Sequence, residues 1–199
     1  MRRCSPAPNN GASLIEMCVC AGLMGLCMLC VAQILAAGTR YFNTANKATD
    51  LQQACLLTAT ELVNELSESN MSSVYADPPA GLLFCSPRDQ AGQVLFTGPL
   101  MIWQKWVAYY TVDDGPSGWH LQRKEEMMVS STPVTVAPFV PNDKYLPHFR
   151  AVTDRGRQVT RYIYDLSVDR TDLLFITIGA QDESGEFRVK VQTKVKTRN

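Results

Sequence analysis

A single charged side chain, Glu16, lies near the start of an apolar segment that runs from Ala12 to Gly38. A charge inside a membrane-spanning helix costs about 2.5 to 3.5 kcal/mol at the helix centre, so a carboxylate there needs a functional reason and a partner. The first turn of a helix favours a carboxylate, because that end carries partial positive charge. Glu16 is therefore the first candidate functional residue, and ion pairing is the chemistry it suggests.

The cysteines are a second set of reactive side chains, and most of them fall in the same apolar segment. Cys27 and Cys30 have the CxxC spacing that suggests redox chemistry or zinc in a soluble protein. In lipid or among packed helices a thiol acts as a small hydrophobic group, so we interpret this pair as inert. Cys55 and Cys85 lie outside the segment and can pair in an oxidising compartment. The sequence leaves that disulfide open.

The rest of the chain offers no evident catalytic or metal-binding pattern. His120 and His148 are the two histidines, and neither stands in a spacing typical of a zinc site or of a nucleophile and base pair. Acidic side chains that can in principle bind calcium occur at Asp113 and Asp114, Asp169 and Asp172, and Asp182 and Glu183. Their spacing specifies no site, and turn or capping roles are commoner. We predict no catalytic residue, no metal site and no cofactor.

Length and charge limit the remaining classes. The chain has 199 residues, enough for one ordinary domain and an anchor, and its formal net charge is zero. Nucleic-acid binding usually needs an excess of basic residues, so a nucleic-acid partner is not favoured.

The apolar segment is long enough to cross a membrane. As a helix, residues 12–38 extend about 40 Å, compared with a hydrocarbon thickness of about 30 Å. Arg2 and Arg3 precede it, which predicts a cytoplasmic N-terminus and an exported remainder. An ordinary secretory signal peptide cut near Gly38 is the alternative, although its apolar part is usually shorter and lacks an acid.

The segment Gly11-Ala12-Ser13-Leu14-Ile15-Glu16 resembles the class III signal of type IV pilins and type II secretion pseudopilins, whose usual form is Gly-Phe-Thr-Leu-Ile-Glu. The resemblance implies a leader of residues 1–11, cleavage by prepilin peptidase after Gly11, and N-methylation of Ala12. It also implies that Leu14, Ile15 and Glu16 act in assembly. In such an assembly the Glu16 carboxylate would meet the terminal amine of a neighbouring subunit and so set the register between helices.

Beyond Gly38 the chain turns polar but keeps a helical repeat. Apolar or small side chains recur at intervals of three or four residues, at Leu51, Cys55, Thr58, Leu62 and Leu66. This stripe predicts an amphipathic continuation over residues 39–72 that packs against a core. Pro78 and Pro79 prevent the helix from continuing beyond that point.

Residues 73–199 are predicted to form an exported antiparallel sheet domain. Alternating patterns predict strands at Leu82–Cys85 with Val94–Phe96, at Ile102–Val112, Trp119–Arg123, Val159–Leu166 and Leu173–Ile178, and from Phe187 to Val195. Residues 181–185 form the turn of a C-terminal hairpin. Met127–Pro147 contains four prolines and is predicted to be a long surface loop. The last strand carries cations on one side, which we interpret as a solvated face because no aromatic residues alternate with them along the strand.

The sheet region also resembles minor pilins and pseudopilins of the J type. The resemblance lies in the aromatic strand Trp106-Val107-Ala108-Tyr109-Tyr110, in a returning strand that ends at Arg123, and in the final Thr197-Arg198-Asn199. The implied fold class is α+β, with a long N-terminal helix packed on an antiparallel sheet. The implied function is structural: a minor pilin or pseudopilin of the bacterial inner membrane that acts in initiation or at the tip of a type IV pilus or type II secretion pseudopilus. Its partners would be other pilins or pseudopilins, prepilin peptidase, the inner-membrane assembly platform and membrane lipid.

Two other functions stay open at this point. One is an exported adhesive or ligand-binding module on the same anchor, with the Pro-rich loop and an exposed Trp103 or Trp119 as the places to look. The other is a secreted enzyme with an ordinary signal peptide, which lacks an evident catalytic constellation. The sequence does not decide between service in secretion, in a pilus or in DNA uptake.

Overall fold

A computed structural model of the chain describes residues 13–77, 81–115, 118–128, 133–136, 146–151 and 156–197. The chain divides into two compact units, residues 1–46 and 47–199. The first helix, α1 (Leu14–Glu68), is the longest element. The second unit contains the strands and the short helix α2 (Leu146–Ala151). The predicted α+β architecture, with a long N-terminal apolar helix and antiparallel sheets, is confirmed.

The second half of α1 buries the stripe that the sequence predicts. Its buried side chains are Leu51, Ala54, Cys55, Thr58, Ala59, Leu62 and Leu66. The helix ends at Glu68, and a short 3₁₀ helix, Met71–Ser73, follows. Asn70 caps this turn, because its side-chain oxygen accepts a hydrogen bond of 2.9 Å from the Ser72 amide.

In the described part of the chain, ten strands form three antiparallel sheets. They are β1 (Tyr75–Asp77), β2 (Gly81–Ser86), β3 (Phe96–Thr97), β4 (Leu100–Met101), β5 (Lys105–Asp113), β6 (Trp119–Met127), β7 (Arg157–Arg161), β8 (Ile163–Arg170), β9 (Leu174–Gln181) and β10 (Arg188–Val195). The five-stranded sheet has the order β1-β2-β5-β6-β7, and the three-stranded sheet has the order β10-β9-β8. The predicted C-terminal hairpin is confirmed as β9 and β10, paired from Arg188 with Gln181 to Val195 with Leu174.

The predicted strand Val159–Leu166 is wrong, because the chain changes sheets at Tyr162. Tyr162 has a φ of 75°, a left-handed conformation that is rare for residues other than glycine. Its amide donates to the Trp119 carbonyl at 2.6 Å, and its own carbonyl accepts from the Gln181 amide at 2.8 Å. Tyr162 therefore separates β7, in the five-stranded sheet, from β8, in the three-stranded sheet.

Two other sequence predictions need correction. Val94–Phe96 does not pair with β2 as a strand: Val94 makes an isolated bridge with Arg88, and Phe96 belongs to a two-residue hairpin with β4. The predicted loop Met127–Pro147 begins one residue inside β6 and ends inside α2. Most of the intervening residues lie outside the described part of the chain.

Two apolar clusters lie on opposite faces of the five-stranded sheet. Alternate residues of β2 show the division, because Leu82 and Phe84 join the cluster that contains α1, β8 and β9, whereas Leu83 and Cys85 join the other. The second cluster is completed by Trp103, Trp106, Ala108, Tyr110, Leu146 and Phe149. Burial on both faces explains why all six residues of β2 are buried.

Candidate functional site

The N-terminal end of α1 is capped by a hydrogen bond to the Glu16 carboxylate. The Ser13 amide donates to the Glu16 carboxylate at 3.0 Å, and the Met17 amide donates to the Ser13 carbonyl at 3.1 Å. This is the carboxylate half of a capping box, which pairs Ser or Thr at the cap with Glu three residues later. The sequence predicts ion pairing for Glu16, but the capping role of Ser13 was missed, although the Ser-x-x-Glu spacing is typical of a capping box.

The first half of α1 exposes its apolar side chains. Leu14 and Ile15, the predicted assembly residues, are 82 % and 72 % exposed. The most apolar 18-residue window of α1 has none of its residues buried, and by length and composition the helix can cross a membrane. Burying each such side chain is worth about 1.5 to 3 kcal/mol. Gly11 and Ala12, the predicted cleavage and methylation residues, lie outside the described residues.

A part-buried polar cluster, which we call the Tyr109–Arg123 cluster, joins the second half of α1 to the five-stranded sheet. Glu61 and Glu65 stand one helical turn apart on α1, and the Tyr109 hydroxyl lies 3.2 Å and 3.1 Å from their carboxylate oxygens. Arg123, opposite Tyr109 on β6, donates to Glu65 at 3.0 Å and to the Tyr109 hydroxyl at 3.1 Å. It also pairs with Glu125.

Electrostatics fix the protonation states of Tyr109 and Arg123 in the Tyr109–Arg123 cluster. Burial lowers the pKa of the Arg123 guanidinium, but the Glu65 carboxylate outweighs it, and the pKa is raised overall. Burial and the same carboxylate raise the pKa of the Tyr109 hydroxyl. Tyr109 therefore stays neutral and Arg123 stays charged. Arg123 does not end its strand as predicted, since β6 continues to Met127.

Cys55 and Cys85 are free thiols in this structure, which therefore does not contain the disulfide that the sequence left open. Cys55 lies in the cluster with α1 and contacts the Ile178 carbonyl, whereas Cys85 lies in the cluster on the other face of the sheet. Burial raises the pKa of both thiols, that of Cys85 to about 12. Both are thus protonated and poorly nucleophilic at neutral pH.

The histidines and tryptophans have structural contacts. His120 is buried beside Asp114 and Gln122, and His148 lies 2.9 Å from Glu126. The prediction of an exposed Trp103 is wrong, because only 5 % of this residue is exposed and its amide donates to the Val134 carbonyl. Trp119 is half-buried. Neither tryptophan therefore presents the fully exposed ring that the sequence suggested for an adhesive surface.

The acidic residues form no metal site among the residues that the structure describes, since no group of three potential ligands converges there. Asp182 instead organises the β9–β10 turn. Its carboxylate accepts hydrogen bonds from the Ser184 hydroxyl at 2.6 Å and the Phe187 amide at 3.1 Å, and it lies 3.4 Å from the Lys47 ammonium. The Ser184 hydroxyl is the main reason that the pKa of Asp182 is lowered, with the Phe187 and Lys47 contacts adding to it.

Stability is expected to fall on acidification as Asp182 is protonated. A carboxyl with a lowered folded-state pKa stabilises the fold above its unfolded-state value of 3.8 and loses that contribution as pH falls through the folded value. Because one carboxyl changes stability by at most about 1.4 kcal/mol per pH unit, we expect full-length protein to lose about 1 kcal/mol or less from this site between pH 5 and pH 3. Denaturant unfolding of Asp182→Asn at pH 5 and pH 3 should show a smaller pH dependence than wild type. Asp169→Asn, at an exposed site, should match wild type.

Comparisons with protein-family models, with curated proteins and with solved structures found no match to this chain. The functional interpretation therefore depends on the sequence signal and the geometry described above.

Proposed function

We propose that this chain is a minor pilin or minor pseudopilin, a structural subunit that is anchored by α1 and co-assembles with related subunits through that helix. The observation that carries the proposal is the capped acid at the start of an exposed apolar helix. Glu16 and Ser13 form that cap, and the side chains that follow on α1 are uncovered within the chain.

The exposed apolar surface supports two successive environments for the first half of α1. Lipid covers it before assembly, and the helices of neighbouring subunits cover it afterwards. Either environment removes the same side chains from water, so transfer between them needs a small change in free energy. The Glu16 carboxylate is the exception, because hydrocarbon penalises it unless a cation is present.

A neighbouring subunit can supply that cation. One oxygen of Glu16 accepts the Ser13 amide hydrogen, and a carboxylate has acceptor capacity for further donors. Cleavage after Gly11 would create a terminal amine at Ala12, the chemical partner that Glu16 requires. Pairing between the carboxylate of one subunit and the amine of the next then fixes the axial register of the helices.

The exported domain serves as a binding unit in this proposal. The Tyr109–Arg123 cluster fixes the second half of α1 to the five-stranded sheet, so the sheet follows the helix into the assembly. The proposed location is the bacterial inner membrane, with the N-terminus cytoplasmic behind Arg2 and Arg3. A role in initiation or at the tip, in a pilus or a secretion pseudopilus, fits a subunit that binds partners without catalysing a reaction.

The mature N-terminus tests this proposal. When the full chain is co-expressed with a prepilin peptidase, we expect N-terminal mass spectrometry to find Ala12 as the first residue, and the Gly11→Leu variant to keep its leader. A first residue at Gly38 or later would indicate a secreted protein cut by signal peptidase. An uncut chain in the presence of active peptidase would also refute the proposal.

A further inference from the structure

The last strand, β10, has one hydrogen-bonded neighbour. It pairs with β9 along its whole length, and no other strand in the described ranges pairs with its second edge. An open edge presents a row of backbone N–H and C=O groups that can bind an extended segment of another chain. Cations on such a strand discourage identical edges from pairing, so any occupant should differ in charge.

One side of this open edge borders a groove of about 360 Å³ between α1 and β10. Four of its lining residues are apolar, and four are polar: Leu56, Ala59, Val63 and Val191, and Thr60, Asn64, Gln192 and Thr193. Leu56 is 57 % exposed and presents apolar surface to this groove. A strand added to β10 would place every second side chain over this groove, because side chains alternate between the two faces of a sheet.

The other face of β10 carries cations, and the neighbouring strands supply aromatic rings beneath them. Arg188 lies 5.5 Å from the centre of the Tyr164 ring on β8, and Lys194 lies 5.1 Å from that of Phe175 on β9. The sequence pattern missed these rings because they come from adjacent strands. Lys190 pairs with Asp165 at 3.1 Å, whereas Arg188 and Lys194 form no ion pair with a described carboxylate.

Gly179 on β9 leaves the space through which the cations of β10 reach Tyr164 and Asp165 on β8. It lies between Lys190 of β10 and Asp165 of β8, and a side chain there would place its first carbon 2.9 Å from the Cβ of Asp165 and 2.9 Å from the Tyr164 ring. Without that side chain, Arg188 and Lys190 reach across β9. The contacts hold the cations on the outer face of the sheet and leave Arg188 and Lys194 able to pair with an incoming acid.

We propose that β10 binds an extended segment of a partner protein in which apolar side chains alternate with acidic ones. The apolar side chains enter the groove beside Leu56, and the acidic side chains face Arg188 and Lys194. One face of the added strand then buries apolar side chains in the groove, and the other face pairs its acidic side chains with the cations of β10. A single-stranded nucleic acid fits less well, because the cations cover the rings on which bases would stack.

A pair of synthetic peptides tests this inference on the full-length protein in nonionic detergent. Each has eight residues, the length of β10, with valine and threonine alternating with either glutamate or lysine. In fluorescence anisotropy with labelled peptides, the glutamate peptide should bind at least about tenfold more tightly than the lysine peptide. The double variant Arg188→Glu, Lys194→Glu should reverse that preference, and Arg161→Glu on β7 should preserve it.

Near-ultraviolet circular dichroism of each variant verifies that the domain is folded. Equal binding of the two peptides, no binding of either, or a preference that the double variant leaves unchanged would overturn the proposal. The test is independent of assembly, because β10 can bind such a segment whether or not α1 enters a filament.

Discussion

Replacing Arg123 with methionine is expected to destabilise the compact unit of residues 47–199 by about 3 to 5 kcal/mol. The variant keeps most of the packing of the arginine stem but leaves Glu65 facing the Tyr109 hydroxyl without its cation. The Glu65 side chain is 22 % exposed, so water compensates its charge only in part. Thermal unfolding of the full chain in detergent, followed by near-ultraviolet circular dichroism of its tryptophans, measures the effect.

Two further variants make the Arg123 result specific. Tyr109→Phe removes one hydroxyl from the Tyr109–Arg123 cluster and should cost about 1 to 3 kcal/mol, less than Arg123→Met. Arg161→Met, at an exposed position on β7, should change stability by about 0.5 kcal/mol or less. If Arg123→Met were as stable as Arg161→Met, the Tyr109–Arg123 cluster would not fix α1 to the sheet.

The periodic parts of this fold could be predicted from the sequence because they depend on local spacing. The stripe from Leu51 to Leu66 marks the buried side of α1, and the alternation in β10 marks its half-buried face. The β9–β10 turn was also predictable, since Asp182 and Gly185 are typical turn residues. In each case neighbours along the chain determine the structure.

The parts that failed depend on contacts between distant segments. The change of sheet at Tyr162 is held by Trp119 and Gln181, which lie far away in sequence, and a tyrosine gives no local signal for a left-handed conformation. The Tyr109–Arg123 cluster and the rings beneath the β10 cations likewise form across strands. Whether Cys55 and Cys85 share a face depends on how α1 lies on the sheet, which spacing alone does not determine.

At the candidate site, Glu16 and the apolar helix could be predicted from the sequence. The capping role of Ser13 was also predictable, from its spacing of three residues to Glu16. Trp103 was expected to be exposed, but it is buried in the second cluster, where residues of β5 and α2 pack around it. Exposure is a tertiary property, so the prediction for Trp103 had no local basis.

Glu16→Leu is expected to insert in the membrane normally but to enter the assembly at least about tenfold less than wild type. A leucine removes both the cap on Ser13 and the charge that would meet the neighbouring amine, and losing a buried partner costs about 3 to 5 kcal/mol. Glu16→Gln separates these roles, because its amide oxygen can still accept the Ser13 hydrogen bond but carries no charge. Gln33→Leu removes a polar group from the same helix and is the matched control.

The fraction of each variant recovered in isolated filaments, relative to its processed amount in the membrane, measures whether the Glu16 carboxylate pairs with a neighbouring subunit. The proposed pairing predicts that Gln33→Leu is recovered like wild type, whereas Glu16→Gln and Glu16→Leu are both depleted. Recovery of Glu16→Gln at the wild-type level would show that the carboxylate only caps its own helix, and it would exclude an ion pair with the neighbouring amine.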